Sequence, residues 1–181
     1  MIRIRTILAG TVAAASLLVG GDVQGASAAV IGQSWPTVAA GARNTDVFTI
    51  QALLRFHHDG DIGFDQGLIV DGVFGRKTRA AVQQFQRSHG LHADGVVGPL
   101  TWSRLVSRAA PGDRGDQVLA LQEQLRELGV ERGQTELLRA DGTFGPVTKA
   151  AVQREQQRWS LKPTGIVDVA TWRVLVLHTA H

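Results

Sequence analysis

A sixteen-residue stretch, DGVFGRKTRAAVQQFQ from Asp71 to Gln86, returns 70 residues later as DGTFGPVTKAAVQREQ from Asp141 to Gln156, with ten of sixteen positions identical. Fixed-period self-similarity requires that one structural unit be built twice. The Asp-Gly pair predicts a tight turn, because glycine accepts positive φ and aspartate hydrogen-bonds its own backbone. Phe74 and Phe144 follow as apolar plugs. Gly75 and Gly145 stand where a helix N-cap belongs, and Pro146 suits a first helical turn, where its missing N–H costs nothing. Thr78, Ala81, Val82 and Phe85 then recur with helical spacing. The unit reads as turn, plug, cap and amphipathic helix.

A fainter echo lies 23 residues further on in each copy, as Asp94 to Trp102 and Thr164 to Trp172. Gly98 and its counterpart Asp168 are both acceptable N-cap residues. Ahead of each turn unit runs another helical pattern. The first is capped by Asn44 or Thr45 and striped by Val47, Ile50, Leu53 and Leu54. The second carries Val118, Leu121 and Leu125, and Val-x-x-Ile-Gln at 47–51 matches Val-x-x-Leu-Gln at 118–122. Three short helices per repeat make the chain all-α. Cores this small lean on their aromatic residues, so Trp102 and Trp172 are expected to pack on Val97 and Val167.

Residues 1–28 have the layout of a secretory signal: Arg3 and Arg5, an apolar run from Ile7 to Val19, and Ala26-Ser27-Ala28 as a cleavage site. The run is shorter than the roughly 18 apolar residues that span a bilayer. The expected organisation is therefore signal peptide 1–28, irregular lead-in 29–43, repeat one 44–107, linker 108–112 and repeat two 113–178. The formal charge of +3 includes Arg3 and Arg5, so the exported chain is close to neutral. That excludes the clustered positive charge of a nucleic-acid binder, and no membrane contact is expected after signal removal. With no cysteine, neither disulfides nor thiolate metal sites can form.

The combination D-G-x-F-G-x-x-T-x-x-A-V-x-x-F-Q (Asp71 to Gln86), Gly90-Leu91, D-G-x-V-G-P-x-T-W (Asp94 to Trp102) and Val-x-x-Ile/Leu-Gln resembles the peptidoglycan-binding domains attached to many bacterial cell-wall hydrolases. The resemblance covers about 44–106 and 113–177. It implies tandem three-helix modules that attach to peptidoglycan, by glycan strand or stem peptide, without catalysis. A secreted or wall-associated location follows from the same resemblance. Copy two departs at Glu155, Ser160 and Thr164, where copy one has Phe85, Gly90 and Asp94. A glutamate at a core position is costly unless exposed or paired, and Trp159 is placed to cover that face.

Binding is expected at the turn units: Asp71, Phe74, Gly75, Thr78, Asp94, Gly98 and Thr101 in repeat one, and Asp141, Phe144, Gly145 and Thr148 in repeat two. The helix N-termini at Gly75 and Gly98 are expected to face one groove and to favour the carboxylates of stem peptides. The competing reading of the same residues is plain turn and cap architecture, with Asp71 and Thr78 bonded locally. No cofactor or metal is expected. His57-His58-Asp59 and His89-x-x-His92-x-Asp94 lack the rigid three-ligand frame of a zinc site, and Asp59-Gly60-Asp61 lacks the later residues of a calcium loop. No Gly-x-Ser-x-Gly, Cys or Tyr supplies a nucleophile. Two other functions stay open: a hydrolase with a site in the loops 58–70 or 129–140, and an adaptor for a cell-wall hydrolase partner.

Overall fold

The computed structural model describes residues 34–58, 67–131 and 138–179. The expected signal peptide, and most of the two long loops, lie outside them. Repeat one holds α1 (Thr45–His58), α2 (Arg76–Ser88) and α3 (Pro99–Leu105); repeat two holds α4 (Asp116–Glu131), α5 (Pro146–Arg158) and α6 (Val169–Thr179). Asn44 caps α1, its Oδ1 accepting the Val47 amide at 3.1 Å. Pro99 and Pro146 open their helices, as their fixed φ favours. Among the described residues no helix is long and apolar enough to cross a membrane.

The lead-in and the linker are the same element. Val38 exchanges both backbone bonds with Val97 (3.0 and 2.8 Å), and Ala109 does the same with Val167 (3.0 and 2.8 Å). Phe74 N donates to Ala42 O at 2.9 Å, and Phe144 N to Asp113 O at 3.0 Å. Each repeat thus begins with an extended arm that pairs with both of its turn units, through Val38 and Arg43 or through Ala109 and Arg114. Residues 108–112 carry no spare reach, because their backbone groups are committed to the repeat that follows. The arms lack helical periodicity and therefore read as connections.

The two tryptophans anchor these arms. Trp102 and Trp172 are completely buried. Trp102 Nε1 donates to Pro36 O at 3.0 Å, and Trp172 Nε1 to Ser107 O at 2.7 Å. Trp35 stacks on Trp102, with ring centroids 5.5 Å apart and planes 13° apart, and Arg173 of repeat two lies over the Trp35 ring. The principal partner of Trp102 is therefore another indole from the arm.

The repeats pack against each other through α1 and α4, the most extensively packed helix pair. Arg55 Nε meets Asp116 Oδ2 at 2.9 Å near one end, and Gln124 Nε2 reaches Asp46 Oδ1 at 3.0 Å near the other, so the helices run antiparallel. Ile50, Leu53, Leu121, Leu125, Trp102 and Trp172 belong to one continuous core. Glu155 does face that interior, at 6% exposure, and lies 3.8 Å from Arg158 Nε. Trp159 packs against His178, with ring centroids 3.6 Å apart and planes tilted by 35°, and joins a satellite cluster with Leu161 and Val174. Ser160, where copy one has Gly90, takes a left-handed φ of 55°.

Candidate functional site

Each turn unit is assembled around a buried glutamine supplied by the preceding helix. Gln51 Nε2 lies 3.0 Å from Asp71 Oδ1, 3.1 Å from Val73 O and 3.0 Å from Thr78 Oγ1. Its Oε1 accepts the amides of Asp71 and Gly72 at 3.0 and 2.9 Å. Gln86 repeats the pattern with Asp94 (2.9 Å), Val96 O (2.9 Å), Thr101 (3.1 Å) and the Gly95 amide (2.9 Å). Gln122 does so with Asp141, Thr143 O, Thr148 and the Gly142 amide. Gln156 serves the fourth unit, where Thr164 Oγ1 stands in for the carboxylate at 3.4 Å and Thr171 lies at 3.1 Å. A side-chain amide has two donors and one acceptor oxygen, and here all are engaged.

Five of the eleven expected binding residues are turned inward. Thr78, Thr101 and Thr148 are buried against their glutamines. Phe74 and Phe144 are 1% exposed. They fill the core because the arm closes over the turn. Asp71, Asp94 and Asp141 stay at the surface but spend Oδ1 on local bonds. The Val73 amide and Gln51 hold Asp71 below the usual carboxylate range; the Val96 amide and Gln86 do so for Asp94, and Gln122 and the Thr143 amide for Asp141.

What remains open is the space over the cap glycines. Gln51, Leu68, Ile69, Asp71, Gly75 and Lys77 contribute to a hollow of about 260 Å³. Leu91, His92, Asp94, Gly98, Pro99 and Leu100 contribute to a second one of about 200 Å³. These are two separate hollows, not the single groove expected, since each belongs to its own glutamine-centred turn. The first has Arg76 and Lys77 on its lining, and the second the exposed Leu100. A Cβ added at Gly75, Gly98 or Gly145 would meet no atom within 4 Å. The backbone of all three is extended, with φ near −90 to −103°, and none makes a side-chain cap bond. At the fourth equivalent position Asp168 does cap, its Oδ1 accepting the Thr171 amide at 2.8 Å.

Among the described residues, His57 and His89 lie with ring centroids 6.1 Å apart. His57 Nε2 bonds Leu105 O at 2.7 Å, with burial lowering its pKa, and His89 stacks on Phe85 at 4.0 Å. His92 Nδ1 lies 3.6 Å from Asp94 Oδ2. Among the described residues no three His, Asp or Glu side chains meet in metal-binding range, while Asp59 and Asp61 fall outside them. Residue-by-residue reading missed the four glutamines. The signal for them was present, because Val-x-x-[Ile/Phe/Leu/Glu]-Gln occurs before every turn, ending at Gln51, Gln86, Gln122 and Gln156.

Comparison with known proteins agrees with this architecture. A family described as putative peptidoglycan binding domain matches residues 43–105 and 114–175. An uncharacterized protein of Kitasatospora aureofaciens is 58% identical over 43 residues, which is 24% of this chain and 36% of that protein. The zinc D-Ala-D-Ala carboxypeptidase of Streptomyces albus G is 53% identical over 52 residues, 29% of this chain and 20% of the enzyme. The N-acetylmuramoyl-L-alanine amidase CwlM of Mycobacterium tuberculosis is 50% identical over 56 residues, 31% of this chain and 12% of the enzyme. The chain thus spans between 12% and 36% of the length of these relatives. Matched by the family in both repeats, it belongs to the putative peptidoglycan binding domains.

Proposed function

We propose that this protein is an exported, non-catalytic binder of peptidoglycan, using the glycine-capped hollows of its turn units. One observation carries the reading. Gly75, Gly98 and Gly145 are required neither by backbone conformation nor by packing, yet the chain forgoes a side-chain cap at each. Asp168 demonstrates that a capping side chain fits the same geometry. Such a cap contributes roughly a few tenths of a kcal/mol over glycine. Leaving three such positions bare makes sense if a ligand must approach the backbone closely.

The hollow at Gly75 suits an acidic group of a stem peptide, because Arg76 and Lys77 stand beside an uncapped helix start. The hollow at Gly98 is more apolar, with Leu91, Pro99 and Leu100 in its wall, and suits an acetamido methyl or a sugar face. The relatives named as wall enzymes match over a short region only, which fits a binding module shared among different catalytic partners. Incubation of the secreted chain with purified sacculi tests the proposal. The protein should sediment with the sacculi and release neither reducing ends nor free amines. Solubilised fragments would instead identify a hydrolase.

A further inference from the structure

Between the repeats lies a carboxylate whose hydrogen-bonding partners are all neutral. Asp46 of α1 is fully buried. Its Oδ1 faces Gln124 Nε2 of α4 at 3.0 Å and Thr179 Oγ1 of α6 at 3.3 Å, while its Oδ2 is buried without a hydrogen-bond partner. Gln124 Nε2 also reaches Thr49 Oγ1 at 2.9 Å, and Thr179 Oγ1 donates to Gln124 Oε1. Of the cations on these helices, Arg173 lies over the Trp35 ring. Arg55 pairs with Asp116 at the far end of the α1–α4 contact, Arg126 pairs with Glu123, and His178 bonds Val174 O.

Counting hydrogens decides the protonation state that this cluster prefers. Thr179 has one hydroxyl hydrogen, with Gln124 Oε1, Asp46 Oδ1 and the helix carbonyls of Leu175 and Val176 all in reach. If that hydrogen goes to Gln124, the contact with Asp46 needs a hydrogen from the carboxyl. A protonated Asp46 supplies it and completes the run Asp46 O–H to Thr179 O–H to Gln124 Oε1. An ionised Asp46 leaves one acceptor short and buries a charge that no cation offsets, which is strongly unfavourable.

We propose that Asp46 is a proton-operated latch between the two repeats: the protonated carboxyl joins α1, α4 and α6 through a neutral hydrogen-bonded chain, and its ionisation loosens that junction. Burial raises the carboxyl from 3.8 to about 6, against the lesser opposing effect of the Gln124 and Thr179 bonds. The folded protein therefore holds the proton more tightly than the unfolded chain. The stability gained from protonation is complete below pH 3.8, declines as pH rises, and is gone above about 6. His57 acts the other way, because burial lowers its pKa and stability is lost as pH falls below 6.5. The latch is accordingly read from a difference between two proteins.

The experiment compares the full secreted chain with its Asp46→Asn variant, by urea unfolding between pH 4 and 7.5. The folded-to-unfolded ratio of the wild type should fall, relative to the variant, by roughly fifty-fold across that range. Identical pH profiles overturn the proposal. A second measurement stands even if the variant folds poorly: carbon-detected NMR titration of the wild-type Asp46 carboxyl. A midpoint near 6 supports the latch, and a midpoint at or below 4 overturns it.

Discussion

Gln51 and Asp71, 20 positions apart, are bonded twice: the glutamine amide donates to the Asp71 carboxylate and its oxygen accepts the Asp71 backbone N–H, each at 3.0 Å. Gln86, Gln122 and Gln156 hold their own turns in a similar way, each accepting the glycine amide of its turn. Replacing Gln51 or Gln122 with Ala strands a buried Thr hydroxyl and turn amides. Each orphaned group costs about 1–3 kcal/mol. Either variant should lower the melting temperature by several degrees or more, as read by circular dichroism of the full chain.

The turn aspartates give the fold its acid sensitivity. Each has a folded pKa below its unfolded value, so its contribution is present above the unfolded pKa and lost as pH falls through the folded one. Thr164 performs the same task in the fourth unit without titrating, with its Oγ1 accepting the Ile166 amide at 3.1 Å. Replacing Asp71 with Thr should flatten stability below pH 4 in acid-unfolding curves. An unaltered acid limb would place the sensitivity elsewhere.

Ser160 holds a left-handed backbone where glycine is at ease. The penalty for such a residue is about 1–2 kcal/mol, and Gly90 avoids it in copy one at φ 65°. Ser160→Gly should therefore stabilise the protein by about 1 kcal/mol in urea titration. Loss of stability would mean that the serine makes a compensating bond.

The arms make Trp102 a keystone between segments distant in sequence. Trp102→Ala should cost about 3–5 kcal/mol, the usual range for a buried aromatic. Trp35→Ala should weaken the same contact from its other side, and the double variant should cost less than the two singles combined, because the rings stack on each other. Strict additivity in thermal unfolding would contradict the shared role.

The helices were legible in the sequence because their periodicity is local: apolar spacing, proline starts and Asp-Gly turns each act within a few residues. The arms were not, since Val38 and Ala109 are held by single bridges to partners 59 and 58 residues away, which leave no periodic trace. The packing of α1 on α4 was hidden for a related reason. Gln124 and Asp46 look like surface residues until the second repeat covers them. At the site, Thr78 and Asp71 read equally well as ligand contacts or as turn architecture, and only the position of Gln51 shows where their bonds go. The emptiness over Gly75 has no sequence signature at all, because a glycine reads the same whether it serves a turn or clears a space.

The account stands most directly on that space. Gly75→Asp in the full chain copies the cap seen at Asp168, so the melting temperature should hold or rise slightly. The decisive measurement is sedimentation of this variant and the wild type with insoluble peptidoglycan over a range of concentrations. The account predicts that the wild type sediments and that the variant needs at least about tenfold more peptidoglycan, the equivalent of one or more lost hydrogen bonds. Equal sedimentation of a folded variant, or a wild type that stays in solution, would contradict it.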